Sequence, residues 1–293
     1  MSRVHLIAMK GIILAGGTGS RLWPTSKSVN KHLLPIYDKP MIYYPLFTLM
    51  AAGIREILLI TNSNSIDAYT ALLGDGSDYG VSINYKAQDK PVGIADAFII
   101  GQEYIGRESC ALILGDNLFH GASLGNYLAK YKECNGANIF AYQVQDPRNY
   151  GVVEISPSGE IISIEEKPNN PKSKFAIPGL YFYDNSVISM VKDVKPSLRN
   201  ELEITDLNLM YLNSNKLHVK ILQRGTVWLD MGTADNLYAA SSYVKTVQER
   251  QGLLVSSIEE IAYRNGWIDS SKLEELAQQY KNEYGQFLIQ IIT

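Results

Sequence analysis

Lys10-Gly11-Ile12-Ile13-Leu14-Ala15-Gly16-Gly17-Thr18-Gly19-Ser20-Arg21-Leu22 is the stretch on which the fold turns. Its first half is a short apolar run that suits a buried strand, and its second half is a glycine-rich turn. Glycines let backbone N–H groups come close enough to cradle phosphate oxygens, and a helix start beyond them would add its dipole. No Gly-Lys-Ser/Thr follows at P-loop spacing, and Gly17-Thr18-Gly19 lacks the third glycine of a dinucleotide fingerprint. The loop by itself reads equally as a phosphate cradle or as a plain strand-to-helix connection. Arg21 closes it, and Lys31-His32-Leu33-Leu34-Pro35 brings a second cation soon afterwards. Two cations aimed at one loop suit a triphosphate better than a dinucleotide.

Outward from this loop, strand and helix patterns alternate. Strands are predicted at Glu56–Thr61, Val81–Gln88, Cys110–Leu114 and Ala137–Val144, and helices at Met41–Ala52, 65–73, 92–105 and 123–134. This predicts an α/β fold with a Rossmann-like, mostly parallel mixed sheet and helices on both faces. After Tyr150 the pattern changes to a small β-rich region. Val152–Ile155 and Glu160–Glu166 flank the hairpin signal Ser156-Pro157-Ser158-Gly159, with strict alternation placing Glu166 on one face with Ile162 and Ile164. Strands at 179–184 and 218–222 and a helix at 203–212 follow. A helical C-terminal tail closes the chain, with Ser257 and Glu260 as a capping box and Leu273, Leu276, Ala277 and Tyr280 on one helical face. No linker-like stretch separates the halves, so both are expected to share one sheet.

Composition narrows the function classes. Two hundred and ninety-three residues can bury about three quarters of their unfolded surface, so disulfide staples are not needed. A net charge of −3 is the wrong sign for a nucleic-acid binder. Cys110 and Cys134 cannot form a disulfide framework and suit a reducing compartment, and no Cys/His cluster has zinc spacing. Residues 1–8 read as a short extension without signal-peptide features, and no apolar run approaches the roughly 18 residues of a membrane span. A soluble cytoplasmic protein is the expectation.

Several separate motifs together resemble the sugar-1-phosphate nucleotidyltransferases, over essentially Met9 to Thr293. They are LAGGTGSRLWP at 14–24, KHLLP at 31–35, LGDN at 114–117, DPRNYGVVE at 146–154, EEKP at 165–168, PGLYFYD at 178–184, RNELEITD at 199–206 and WLDMGT at 228–233. The match extends through ERQGLLV and EEIAYRNGWI within 249–268. It is nearest the members that join dTTP to α-D-glucose 1-phosphate, giving dTDP-glucose and pyrophosphate, with Mg²⁺, for deoxysugars of the dTDP-rhamnose type. The resemblance implies one domain over 9–293: a nucleotide half at about 9–120, a sugar half at 121–240 and a helical tail at 241–293. It also implies a homotetramer, with neither nucleic acid nor membrane as a partner.

The residues it nominates fall into groups. Leu14, Ala15, Gly16, Gly17, Gly19, Arg21, Lys31, Gln88 and Gly93 would hold the nucleotide, and Arg21 and Lys167 would act in catalysis. Asn117, Tyr150, Gly151, Glu166, Lys167 and Arg199 would hold the sugar phosphate, and Asp116 and Asp230 the metal. Asp116 also ends an apolar strand at the carboxyl edge where open α/β sheets bind ligands. Glu260, Ile261 and Arg264 would serve end-product inhibition by a dTDP-sugar, although by spacing alone Glu260 and Arg264 make an ordinary i,i+4 pair. Three positions depart from the pattern: His32 and Asp96, each where Gln is usual, and Pro178, where Thr is usual. They leave open another nucleoside triphosphate or hexose 1-phosphate. A non-catalytic sugar-nucleotide binder and a glycosyltransferase are the readings from other classes.

Overall fold

The computed structural model describes residues 9–292; the N-terminal extension expected over residues 1–8 lies outside the described residues. The strands in chain order are β1 (Met9–Ala15), β2 (Pro35–Ile36), β3 (Lys39–Pro40), β4 (Glu56–Thr61), β5 (Ser82–Ala87), β6 (Ser109–Leu114), β7 (Asn117–His120), β8 (Ala137–Gln143), β9 (Gly151–Ile155), β10 (Ile161–Glu166), β11 (Phe175–Ile177), β12 (Leu180–Tyr183), β13 (Leu217–Ile221) and β14 (Val227–Asp230). The helices are α1 (Tyr43–Ala51), α2 (Ile66–Leu73), α3 (Asp96–Ile105), α4 (Leu124–Ala129), α5 (Val187–Met190), α6 (Ile204–Asn213), α7 (Ala234–Gln251), α8 (Ile258–Arg264), α9 (Ser270–Gln278) and α10 (Glu283–Ile292).

A ten-stranded sheet runs β10-β9-β11-β8-β12-β6-β1-β4-β5, with β13 also paired to β8. The pairings β6–β1–β4–β5 are all parallel, as is β8–β13. Antiparallel pairing is confined to β12, β11 and β10, which run against the other seven. This is the mixed, mostly parallel sheet that the alternation predicted.

Burial explains the layering. In β1, Met9, Ile13 and Ala15 face one core with α1, α2, α8, α9 and α10, while Ile12 faces the other with α3, α5 and α6. Burying an isoleucine is worth about 1.5–3 kcal/mol, so a strand buried on both faces is held in register strongly. A third cluster lets α7 cover the two short ribbons through Ile36, Leu118, Met231 and Val244. One of those ribbons pairs β2 with β3, the other β7 with β14.

Local expectations needed correction in four places. Only one turn of 3₁₀ helix (Ser20–Leu22) follows the glycine loop, so no α-helix dipole points at it. The predicted helix at 123–134 contracts to α4. A bulge between Ile161 and Ser163 breaks the alternation of β10, leaving Ile162 57 % exposed while Ile161 joins Ile164 in the core. The capping box is half formed: Ser257 accepts from the Glu260 N–H, but the Glu260 carboxylate turns to Arg264.

Candidate active site

The parallel strands β1, β4, β5 and β6 end on one edge, and the segments just beyond them build a cleft there, as is usual for open α/β sheets. Two adjoining cavities share Arg21, Ile94, Leu114 and Asp116. The first, about 290 Å³, is lined by Leu14, Gly16, Gly17, Lys31, His32, Gln88 and Gly93 among others. The second, about 220 Å³, is lined by Asn117, Tyr150, Gly151, Glu166, Lys167 and Asp230 among others.

Asparagines shape the glycine loop. Gly17 adopts φ +92°, and its N–H and carbonyl both bond to Asn62. Asn30 donates to the Ala15 carbonyl and caps the 3₁₀ turn Lys31–Leu33 by accepting from the His32 N–H. That cap aims Lys31 across the cleft, where its Nζ donates to Asp116 Oδ2 at 2.5 Å. Burial alone would raise the Asp116 carboxyl, but Lys31, His32 and Asn117 together hold it well below the ordinary carboxylate range. His32 fills the space over Gly115, where a Cβ would lie 2.8 Å from its ring. Burial and then the Lys31 charge push its imidazole down to about 3.

The second carboxylate arrives through strand pairing. Asp230 faces Asn117 across the antiparallel β7–β14 ladder, and the Met231 N–H donates to the Asp116 carbonyl. Burial and the neighbouring Asp116 charge raise the Asp230 carboxyl, against the pull of Arg21 and Lys31. Gly232 leaves room for the guanidinium: a Cβ there would sit 2.9 Å from both Arg21 Nη2 and Asp230 Oδ1. Asn117 Nδ2 donates to Asp116, while its Oδ1 accepts from the Gly179 N–H and the Trp228 indole. Asn117 therefore orients the carboxylate and ties three elements together. Tyr150 stacks edge-on against Trp228 at 5.0 Å, and its hydroxyl is pushed up to about 12 by burial and by Asp230.

On the far wall, Glu166 accepts from Thr205 Oγ1 at 2.5 Å and stands 3.6 Å from Lys167 Nζ. Lys167 holds a left-handed backbone at φ +43°, an unusual state for a non-glycine residue. Gly93 at φ +116° meets the 201–203 segment so closely that a Cβ would lie 2.3 Å from the Leu202 carbonyl. Gln88 Nε2 donates to Asp96 Oδ2 at 2.8 Å.

Most nominated residues thus converge, with exceptions. Arg199 lines neither cavity and is engaged by Glu203 at 2.9 Å, with Glu166 and Glu201 nearby. Ala15 and Gly19 support the loop from beneath, Gly19 through its carbonyl to Ser26 Oγ. Pro178 lines neither cavity, although Ile177 and Gly179 line the second. Glu260, Ile261 and Arg264 border a separate cavity of about 320 Å³ with Phe47, His120 and Ser256. Sequence reasoning missed Asn30, Asn62, Thr205 and Trp228. The Asn30 position, just before the Lys31 turn, was a readable cap signal.

Known proteins match this chain over most of its length. A family model described as nucleotidyl transferase matches residues 10–247. A glucose-1-phosphate thymidylyltransferase of Neisseria meningitidis is 54% identical over 286 residues, covering 97% of this chain and 99% of the relative. One of Mycolicibacterium smegmatis is 52% identical over 285 residues, with the same coverage. Among solved structures, a Bacillus anthracis chain crystallised with sucrose and assigned as a glucose-1-phosphate thymidylyltransferase superposes with a TM-score of 0.75. It is 42% identical and covers 80% of this chain and 95% of that one. With these motifs, this fold and these relatives, the chain belongs to the nucleotidyl transferase family, among its glucose-1-phosphate thymidylyltransferases.

Proposed function

We propose that the chain transfers a thymidylyl group from dTTP to α-D-glucose 1-phosphate, giving dTDP-glucose and pyrophosphate. The observation that carries this reading is the junction of two cavities at Arg21 and Asp116, with Lys31 lining the first and Asp230 and Lys167 lining the second. The nucleotide occupies the cavity beside the glycine loop, and the sugar phosphate occupies the one beside Glu166 and Lys167.

A phosphate oxygen of the sugar attacks the α-phosphorus of the triphosphate. The new P–O bond forms as the bond to the β-bridging oxygen breaks, and pyrophosphate leaves with the electron pair. No protein group needs to bond covalently, so positioning and charge neutralisation supply the acceleration. Arg21 and Lys31 hold the phosphates that depart, and Lys167 holds the attacking phosphate. Glu166, itself fixed by Thr205, accepts from sugar hydroxyls, and Tyr150 and Gly151 line that pocket. Arg199 acts from outside it by bracing Glu166.

The donor set suits Mg²⁺. The buried Asp116 and the half-buried Asp230 lie close enough for one to raise the other, and hard cations of this kind take one or two carboxylates plus phosphate oxygens. Asp116 and Asp230 are the residues that would hold it. When bound, Mg²⁺ supplies charge neutralisation at the α-phosphate.

The cavity at Glu260, Ile261 and Arg264 is the place proposed for end-product control in a homotetramer of the deoxysugar route. No helix among the described residues is long and apolar enough to cross a membrane. Burial raises both free thiols, that of Cys134 to about 11, so neither is poised as a nucleophile, and the cytoplasm is the compartment proposed.

Pyrophosphate release from glucose 1-phosphate with each nucleoside triphosphate in turn, with and without Mg²⁺, tests the reading. Release is expected with dTTP and only with the metal. Silence with every pairing would leave a sugar-nucleotide binder instead.

A further inference from the structure

We infer that Asp96 sets the nucleobase preference by fixing which way the Gln88 side-chain amide points. The inference rests on the reading that the glycine-loop cavity takes the nucleoside. Asp96 opens α3, and its Oδ2 accepts from Gln88 Nε2 at 2.8 Å. A carboxylate can only accept hydrogen bonds, so the NH₂ end of the Gln88 amide must face Asp96. The carbonyl end is then turned away. It lies where a Cβ on Gly16 would meet it at 3.0 Å, on the cavity wall formed by the glycine loop. Gln88 is 7 % exposed, and its backbone N–H donates to the Thr61 carbonyl at 2.7 Å, so the backbone cannot re-aim the side chain.

An amide side chain alone is ambidextrous, because a half-turn exchanges its donor and its acceptor at little cost. Asp96 removes that freedom and makes the Gln88 side of the pocket a fixed acceptor. Thymine and uracil carry an N–H at N3, which such an acceptor receives. Cytosine carries a lone pair at N3, which it repels, and an unmatched buried polar group is costly. A glutamine at position 96 would accept or donate and leave Gln88 unfixed. This chain's departure from the family pattern therefore sharpens base choice.

Steady-state pyrophosphate release with dTTP and with dCTP, for the full chain and for Asp96→Asn and Asp96→Leu, tests this. The ratio of kcat/KM for dTTP over dCTP is expected to fall at least about tenfold in both variants, with the loss of dTTP efficiency carried by KM for the nucleotide. Calorimetric binding of dTDP and dCDP reads the same ratio without chemistry, so a slow variant still reports. An unchanged ratio, or an equal loss on both nucleotides, overturns the role of Asp96. Failure of the wild-type chain to release pyrophosphate with any of the triphosphates would instead sink the proposed reaction.

Discussion

Lys31 Nζ lies 2.5 Å from Asp116 Oδ2, and the two side chains are only 13% and 11% exposed. The pair bridges the turn after the glycine loop to the segment just beyond β6, so it fixes the distance between two walls of the cleft. Lys31→Met leaves a largely buried carboxylate without its cation. Breaking a buried pair this way costs about 3–5 kcal/mol, so both melting temperature and kcat/KM should drop sharply. Adding Asp116→Asn should return part of the stability but none of the activity. A double variant no more stable than the single one would argue against this coupling.

Lys167→Ala is expected to lower turnover at least about a hundredfold, the scale of losing one charge-stabilising group. The lysine side chain is 45% exposed, so stability should stay within about 0.5 kcal/mol of wild type. Near wild-type turnover would remove Lys167 from the reaction.

His32 makes stability depend on pH. Its imidazole is lowered from 6.5 to about 3, by burial first and the Lys31 charge second. Between those values the unfolded chain binds a proton that the folded chain does not, so stability falls as pH falls through that window. His32→Gln removes the group, and its melting temperature should decline less steeply on acidification below pH 6.5. Parallel declines for the two proteins would contradict the assignment.

Gly93→Ala should loosen the nucleotide side selectively. The residue sits at φ +116°, and its new Cβ would meet the Leu202 carbonyl and amide nitrogen at 2.3 and 2.4 Å, both rigid backbone. Backbone strain alone is worth roughly 1–3 kcal/mol, read by chemical denaturation. KM for dTTP should rise more than KM for glucose 1-phosphate, and equal effects on the two would count against a local origin.

The legible parts of the sequence were those written in hydrophobic period and glycine. β1, β4 and β6 are apolar on consecutive positions because both faces are covered, so their ends, and with them Asp116, could be placed from the chain alone. Polar contacts were opaque for a physical reason. Asn30 and Asn62 sit in loops where asparagine is common, and only the folded loop reveals which carbonyls they bind. Ile162 went astray because one extra residue in β10 moves every later side chain to the opposite face. Arg199 matched a motif, yet its sequence neighbours Glu201 and Glu203 engage it together with Glu166, which the fold brings close, and it lines neither cavity.

The position of β6 has a dynamic consequence. It pairs in parallel with β1 on one edge and antiparallel with β12 on the other, and Cys110 to Ile113 have no exposed surface. Its amides should be among the slowest of the chain to exchange with solvent, opening only when the whole sheet comes apart. Asp116 stands two residues beyond that strand, on the seam between the two cavities. The seam between the two cavities is therefore anchored to a strand that should be among the last to open.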